Sequence, residues 1–298
     1  MRKDLFDLIA YADQKGLRTV LSTNGTLITE QVAEKLASLK VSYVGISLDG
    51  PQNLHDSFRG VKGSFAETMK GIENCRRAQI RTGLRFTMIG GNVDQISEVF
   101  QIAADAGIGR ICFYHLIRTG RAETLSNQMP SADQTRKTID TILQTTKKLV
   151  FKNQVEEVLT VGNHADGPYL LLRMRQEKSD RMDEAESLLR RSAGNRIGQN
   201  IASVDWTGRV YPDQFWRNYI LGNILERPFG QIWQDQSDPV LKALRQKNEY
   251  KDPKCRRCRW FDLCGGNFRS LSGSADISRW QNEPPCYLTE EEIKNGMG

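Results

Sequence analysis

From Leu5 to about Lys148, amphipathic helical patterns alternate with short apolar runs, and that alternation limits the chain to few folds. Leu5, Leu8, Ile9 and Ala12 recur at helical spacing before Gly16, and Thr19-Val20-Leu21-Ser22 reads as a short buried strand. A helix is predicted from about Thr29 to Ser38, a strand from Tyr43 to Leu48, and a helix opened by the capping-box pattern Ser64-x-x-Glu67. The unit then repeats. Leu84 to Ile89 is a predicted strand, Val93 to Ala106 a helix, Ile111 to Ile117 a strand, and Ser131-x-x-Gln134 opens a helix to about Lys148. Strands separated by helices of this length are joined by right-handed crossovers and lie parallel, with helices covering the sheet. The expected class is therefore α/β, with a partial parallel (βα) barrel over residues 1–150. Four strands do not close a barrel, and the series opens on a helix that no strand precedes, so the chain is expected to be N-terminally incomplete.

After residue 150 the pattern changes. A strand-like Val155 to Val161, a turn from Gly162 to Pro168 and a charged helical stretch to Arg191 suggest a connecting segment over 151–200. Residues 201–298 then carry short strands and turns, at Thr207-Gly208, Leu221-Gly222-Asn223 and Pro228-Phe229-Gly230, leading into a cysteine-rich tail. The longest apolar run, Ile111 to Ile117, is broken by His115 and falls far short of the roughly 18–20 residues of a membrane span. Met1-Arg2-Lys3-Asp4 runs straight into the first helix without an apolar leader, so a cytoplasmic location is expected. The net charge of +6 and pI near 9.0 fit a solvated surface with surplus Lys and Arg. No basic block is interleaved with aromatics, so nucleic acid is not an expected partner.

Four of the six cysteines, Cys255, Cys258, Cys264 and Cys286, fall close to the C-terminus, separated by two, five and twenty-one residues. Cytosolic thiols stay reduced, which argues against a disulfide framework. Four thiolates select zinc or an iron–sulfur cluster over hard cations. Spacing alone leaves both open, although one CxxC followed by a lone distant cysteine fits a two-knuckle zinc ribbon poorly. Cys75 in a predicted helix and Cys112 in a predicted strand read as core thiols.

Ser22-Thr23-Asn24-Gly25 follows one strand, Ile46-Ser47-Leu48-Asp49-Gly50 ends the next, and His55-Asp56-x-x-Arg59-Gly60 lies beyond. In that order these segments resemble the radical S-adenosylmethionine (SAM) enzymes, and the tail resembles their SPASM-type iron–sulfur extension. Phe113-Tyr114-His115-Leu116 with Gly120-Arg121, and Pro212-Asp213-Gln214-Phe215 before Leu221-Gly222-Asn223, resemble the tetrapyrrole branch, nearest to heme d1 synthesis. Two positions depart from the usual extension. Asp213 follows Pro212 where a cysteine is typical, and Phe268 stands four residues after Cys264 where another is typical. The resemblance thus implies one auxiliary 4Fe-4S cluster, held by Cys255, Cys258, Cys264 and Cys286. The family's three-cysteine loop, which carries the SAM-binding cluster, is expected upstream of this sequence, so the chain alone is expected to be catalytically incompetent.

For a complete enzyme the resemblance implies reduction of SAM by an electron donor protein, a deoxyadenosyl radical, and side-chain removal from a siroheme-derived tetrapyrrole. The related deacetylase and decarboxylase of heme synthesis use similar scaffolds. A non-catalytic zinc or iron–sulfur binding module is the rival of another class. Ligands of parallel barrels sit at the C-terminal strand ends, where Thr23, Asn24, Ser47 and Asp49 are expected. Ser47 would bond the amino acid or ribose of SAM, and Arg59 would grip its carboxylate. Asn24-Gly25 and Asp49-Gly50 are equally ordinary turn signals. His115, Arg118, Arg121 and His164 are candidates for contact with the carboxylate-bearing tetrapyrrole or its metal. No residue is assigned a catalytic role.

Overall fold

The computed structural model describes residues 2–192, 194–270 and 272–295. Its first half runs α1 (Leu5–Gln14), β1 (Val20–Thr23), α2 (Glu30–Ser38), β2 (Tyr43–Ser47), α3 (Gln52–Arg59), α4 (Ser64–Arg77), β3 (Thr82–Met88), α5 (Ile96–Asp105), β4 (Arg110–His115), α6 (Ala132–Phe151) and β5 (Glu157–Val161). The five strands form one sheet in sequential order β1-β2-β3-β4-β5, every neighbouring pair parallel. This is the α/β architecture that the alternation demands. The sheet has a strand more than the sequence pattern counted, because Glu157–Val161 pairs with Arg110–Tyr114. Its five residues are all half-buried, a pattern that betrays neither face.

Side chains alternate across the sheet. Val44, Ile46, Leu84, Phe86, Met88, Ile111 and Phe113 are buried on the face that packs under α4 and α5. Gly71 lets α4 approach closely, since a Cβ there would stand 2.2 Å from the carbonyl oxygen of Gly25. Asn74 of α4 donates to the Ile28 carbonyl at 2.7 Å and ties the same helix to the loop after β1.

The capping box expected at Ser64 does not form. Gly63 is the N-cap, in the left-handed region, and the Ser64 hydroxyl lies 3.2 Å from His55 Nε2 instead. Asp56 takes over the task, accepting the Gly63 and Phe65 amides at 2.7 Å each, because the tight α3–α4 connection brings its carboxylate to the start of α4. Thr29 does cap α2, accepting from Val32 at 3.3 Å.

The chain divides into two compact units, Met1–His115 with Gln134–Val161, and Leu116–Asp133 with Gly162–Gly298. The second unit contains α7 (Asp166–Gln176), α8 (Met182–Ser192), β6 (Ser203–Val204), β7 (Arg209–Tyr211), β8 (Gly222–Asn223), α9 (Phe229–Trp233), α10 (Pro239–Arg245), α11 (Pro253–Arg256), α12 (Phe261–Cys264), β9 (Phe268–Arg269), β10 (Gln281–Asn282) and α13 (Glu290–Asn295). One of its cores gathers Ile197, Trp216, Val240, Leu244, Phe261, Phe268 and Trp280. Among the described residues, no helix is long and apolar enough to cross a membrane.

Candidate functional site

The tail cysteines lie on short elements that turn sharply. Asp252 caps α11 by accepting the Cys255 amide at 2.8 Å, and the Cys258 amide donates to the Cys255 carbonyl at 3.2 Å. That turn presents both thiols on one side. Cys264 ends α12, and Gly265 and Gly266, at φ +72° and +68°, reverse the chain in a conformation that other residues rarely adopt. Cys286 follows the β9–β10 hairpin, where Lys254 donates to the Cys286 and Leu288 carbonyls at 3.1 and 2.7 Å.

Cys255, Cys258, Cys264 and Cys286 line a single enclosed pocket, with Trp260, Phe261, Leu288 and Ile293 among its apolar walls. Among the described residues, no carboxylate or imidazole lines it. Nor does any group of three or more His, Cys, Asp or Glu there converge tightly enough to form a ready single-ion site. Desolvation raises the pKa of all four thiols, that of Cys255 to about 12. Nearby thiols reinforce the shift at Cys255, Cys258 and Cys264. Four thiols that resist ionisation without a cation become ligands when a metal centre supplies the positive charge, so the donor set fits a thiolate-bound metal group.

The pocket is braced through its backbone. Asn195 donates its amide to the Cys264 carbonyl at 2.9 Å and its Nδ2 to the Gly266 carbonyl at 2.6 Å. The Asn195 carbonyl in turn accepts from the buried Lys247 ammonium. Asn282 Nδ2 reaches Asp252 and lies 3.8 Å from Cys255 Sγ, joining the hairpin to the Cys255 loop. None of these partners follows from the cysteine spacing.

In the sheet unit, Thr23 and Ser47 end adjacent parallel strands. The Thr23 hydroxyl accepts the Gly25 amide at 3.1 Å, and Asn24 Oδ1 accepts the Thr26 amide at 3.2 Å, so both side chains serve the local turn. Asp49 is buried and paired with Arg59, whose Nε donates to Oδ2 at 2.6 Å. The carboxylate at Arg59 Nε is thus one of the chain's own. Burial raises the pKa of Asp49, opposed by the charge of Arg59. His55, to which the sequence assigned no role, is fully buried beside this pair. Its Nδ1 accepts the Asp49 amide at 3.1 Å, so the neutral ring carries its proton on Nε2 and donates to Ser64. Burial lowers its pKa and keeps it neutral.

The four tetrapyrrole candidates fall on different segments of the chain. His115 ends β4 and is buried. Arg118 is tied to the buried Glu283, Nη2 to Oε2 at 2.8 Å. Arg121 is exposed on a 3-10 turn, and His164 is half-buried with its amide donating to Asn267 Oδ1 at 3.0 Å.

Profiles of known families divide the chain in a similar way. The radical SAM superfamily profile matches residues 1–106, and an iron–sulfur cluster-binding domain profile, SPASM, matches residues 196–259. Fe-coproporphyrin III synthase of Methanosarcina barkeri is 45% identical over 296 residues, covering 98% of this chain and 74% of that protein. The chain belongs to the radical SAM superfamily. Proteins of this superfamily with a SPASM domain bind SAM and iron–sulfur clusters. This radical SAM protein is also 31% identical to pre-heme d1 synthase of Dinoroseobacter shibae, over 98% of the chain and 72% of the relative. AdoMet-dependent heme synthase of Methanosarcina barkeri is 30% identical, over 96% and 78%. Among solved structures, Streptococcus suis SuiB bound to its precursor peptide aligns with a TM-score of 0.68 at 19% identity, over 89% of this chain and 57% of SuiB. AnSMEcpe with bound AdoMet aligns at 0.62 and 20%, over 89% of this chain and 66% of that one. At such identities these structures establish the fold alone.

Proposed function

We propose that this radical SAM protein acts in heme-related tetrapyrrole synthesis, removing carboxylate-bearing side chains from a siroheme-derived substrate. The observation that carries the reading is the 45% identity to Fe-coproporphyrin III synthase across nearly the whole chain. The 31% identity to pre-heme d1 synthase makes heme d1 synthesis the second reading, on the same chemistry.

In this reading the pocket of Cys255, Cys258, Cys264 and Cys286 holds one auxiliary 4Fe-4S cluster, with Asn195, Lys254 and Asn282 fixing the ligand loops. When bound, SAM on its own cluster supplies the radical that abstracts hydrogen from the substrate. The chain's strand ends bind and orient, with Thr23 and Ser47 ending adjacent strands and the Asp49–Arg59 pair holding the loop after β2. Arg118, Arg121, His115 and His164 are the proposed tetrapyrrole contacts, and an electron donor protein is the proposed partner. Cys75 in α4 and Cys112 in β4 are buried in the sheet unit and are core thiols in this reading.

The experiment is anaerobic purification with iron, sulfide and zinc quantified together, followed by incubation with the siroheme-derived substrate and mass spectrometry. About four irons and four sulfides per chain, lost in Cys258→Ala, are expected. One zinc without sulfide would overturn the cluster and leave a binding module. With a complete radical SAM system, mass loss from acetate groups separates the heme reading from the heme d1 reading, in which propionates are removed.

A further inference from the structure

The face of the sheet opposite α4 and α5 is polar. By strand register Tyr43, Gly45 and Ser47 of β2 share it with Gly83, Arg85 and Thr87 of β3 and with Arg110, Cys112 and Tyr114 of β4. Arg85 stands directly beside Ser47, the residue at the C-terminal end of β2. Its guanidinium stacks over the Tyr114 ring, 4.3 Å from the centroid.

Two glycines make this arrangement possible. A Cβ at Gly45 would lie 2.7 Å from Arg85 Cδ, so the arginine crosses the sheet through the space that Gly45 leaves. A Cβ at Gly83 would lie 2.3 Å from the Tyr43 hydroxyl, so that ring occupies the space beside it. The Tyr43 hydroxyl is buried and has no hydrogen-bond partner among the described residues.

Arg85 differs from the other half-buried arginines of its unit. Arg59 has Asp49 and Arg110 has Glu157, whereas Arg85 has no carboxylate or hydrogen-bond acceptor among the described residues. A half-buried cation with no counter-ion bears a desolvation cost that an anionic ligand would offset. The aromatic ring under the guanidinium holds it flat, leaving its N–H edge able to take a carboxylate in two parallel bonds.

We propose that Arg85, stacked on Tyr114 and given room by Gly45, is a carboxylate-binding group on the inner face of the sheet, taking a side-chain carboxylate of the tetrapyrrole. The Tyr114 hydroxyl stands on the same face as a second donor. The inference rests on the tetrapyrrole reading above. Carboxylate is also present in SAM, so the test has an arm for each source.

The test titrates the anaerobically reconstituted chain with Fe-coproporphyrin III by its absorbance, with the methyl ester of that porphyrin, and with SAM by calorimetry. Arg85→Met keeps the aliphatic stem, and Gly45→Ala keeps the arginine but displaces it. Both are expected to weaken Fe-coproporphyrin III by about 10- to 100-fold, the worth of a charge-assisted pair, and to leave ester binding unchanged. Unaltered porphyrin affinity in both variants overturns the inference while the tetrapyrrole reading stands. Weakening of SAM alone gives the carboxylate site to the cofactor and overturns the substrate assignment. Wild-type protein that binds no porphyrin overturns the tetrapyrrole reading itself, and this assignment with it.

Discussion

The sheet unit and the cysteine-rich unit are built on different principles. In the first, strands of four to seven residues bury apolar side chains under helices of eight to twenty. In the second, β6, β8, β9 and β10 are two residues long, and α11 and α12 are four. Elements that short do not persist on backbone hydrogen bonds alone. Buried polar groups do the joining there, among them Asn163, Asn195, Asn267, Asp213, Arg269 and Glu283. The lesson is that apolar periodicity can specify the first unit, while the second depends on particular buried partners and on the metal group proposed for its thiols.

Removing that group should separate the two units most sharply. Chelation of iron, or Cys258→Ala, is expected to abolish the metal content and to unprotect backbone amides throughout the cysteine-rich unit, leaving the sheet protected. Hydrogen exchange read by mass spectrometry checks this, and equal loss of protection in both units would break the contrast.

A smaller effect is expected from Arg269→Met. It removes the counter-ion of the Asp213 carboxylate, 3% exposed and bonded to Arg269 at 3.1 Å, leaving it the Phe215 and Trp216 amides alone. The cost should be about 3–5 kcal/mol, confined to the second unit and measured by denaturant unfolding with a probe in each unit. Asn195→Ala ranks next. It leaves the Gly266 carbonyl without its side-chain donor, for about 1–3 kcal/mol, and should speed release of iron to a chelator.

The smallest effect belongs to the sheet. His55 is held neutral by burial, with its pKa below the ordinary 6.5, so the unfolded chain binds the proton more readily. Stability from this group is full above pH 6.5 and is lost as the pH falls through that value toward the lowered pKa. Urea midpoints at about pH 7.5 and about pH 5.5 should therefore differ less in His55→Gln than in wild type. An unchanged difference would mean that other groups carry the acid sensitivity.

The helix–strand alternation was legible because it is a local property, and β1 to β4 lie within a few residues of where the pattern places them. The cysteine site was legible in part, since spacing of two and five residues brings Cys255, Cys258 and Cys264 close on any tight path. The capping box misled, because Ser64 has a better partner in His55 that no local pattern reveals. Arg85 escaped notice because its neighbours Leu84 and Phe86 mark an ordinary buried strand. The signal for it was Gly45, on the neighbouring strand.

By itself the sequence determined the α/β class and the parallel order, which follow from period and residue type, and the clustering of four cysteines in the tail. Only the tertiary structure decided that β5 joins the sheet, that Arg59 pairs with Asp49, that Asn195 grips the Cys264 turn, and that Arg85 faces no carboxylate among the described residues. Those outcomes depend on strand register and on which polar groups burial brings within bonding distance, and residues far apart in the chain carry no record of either.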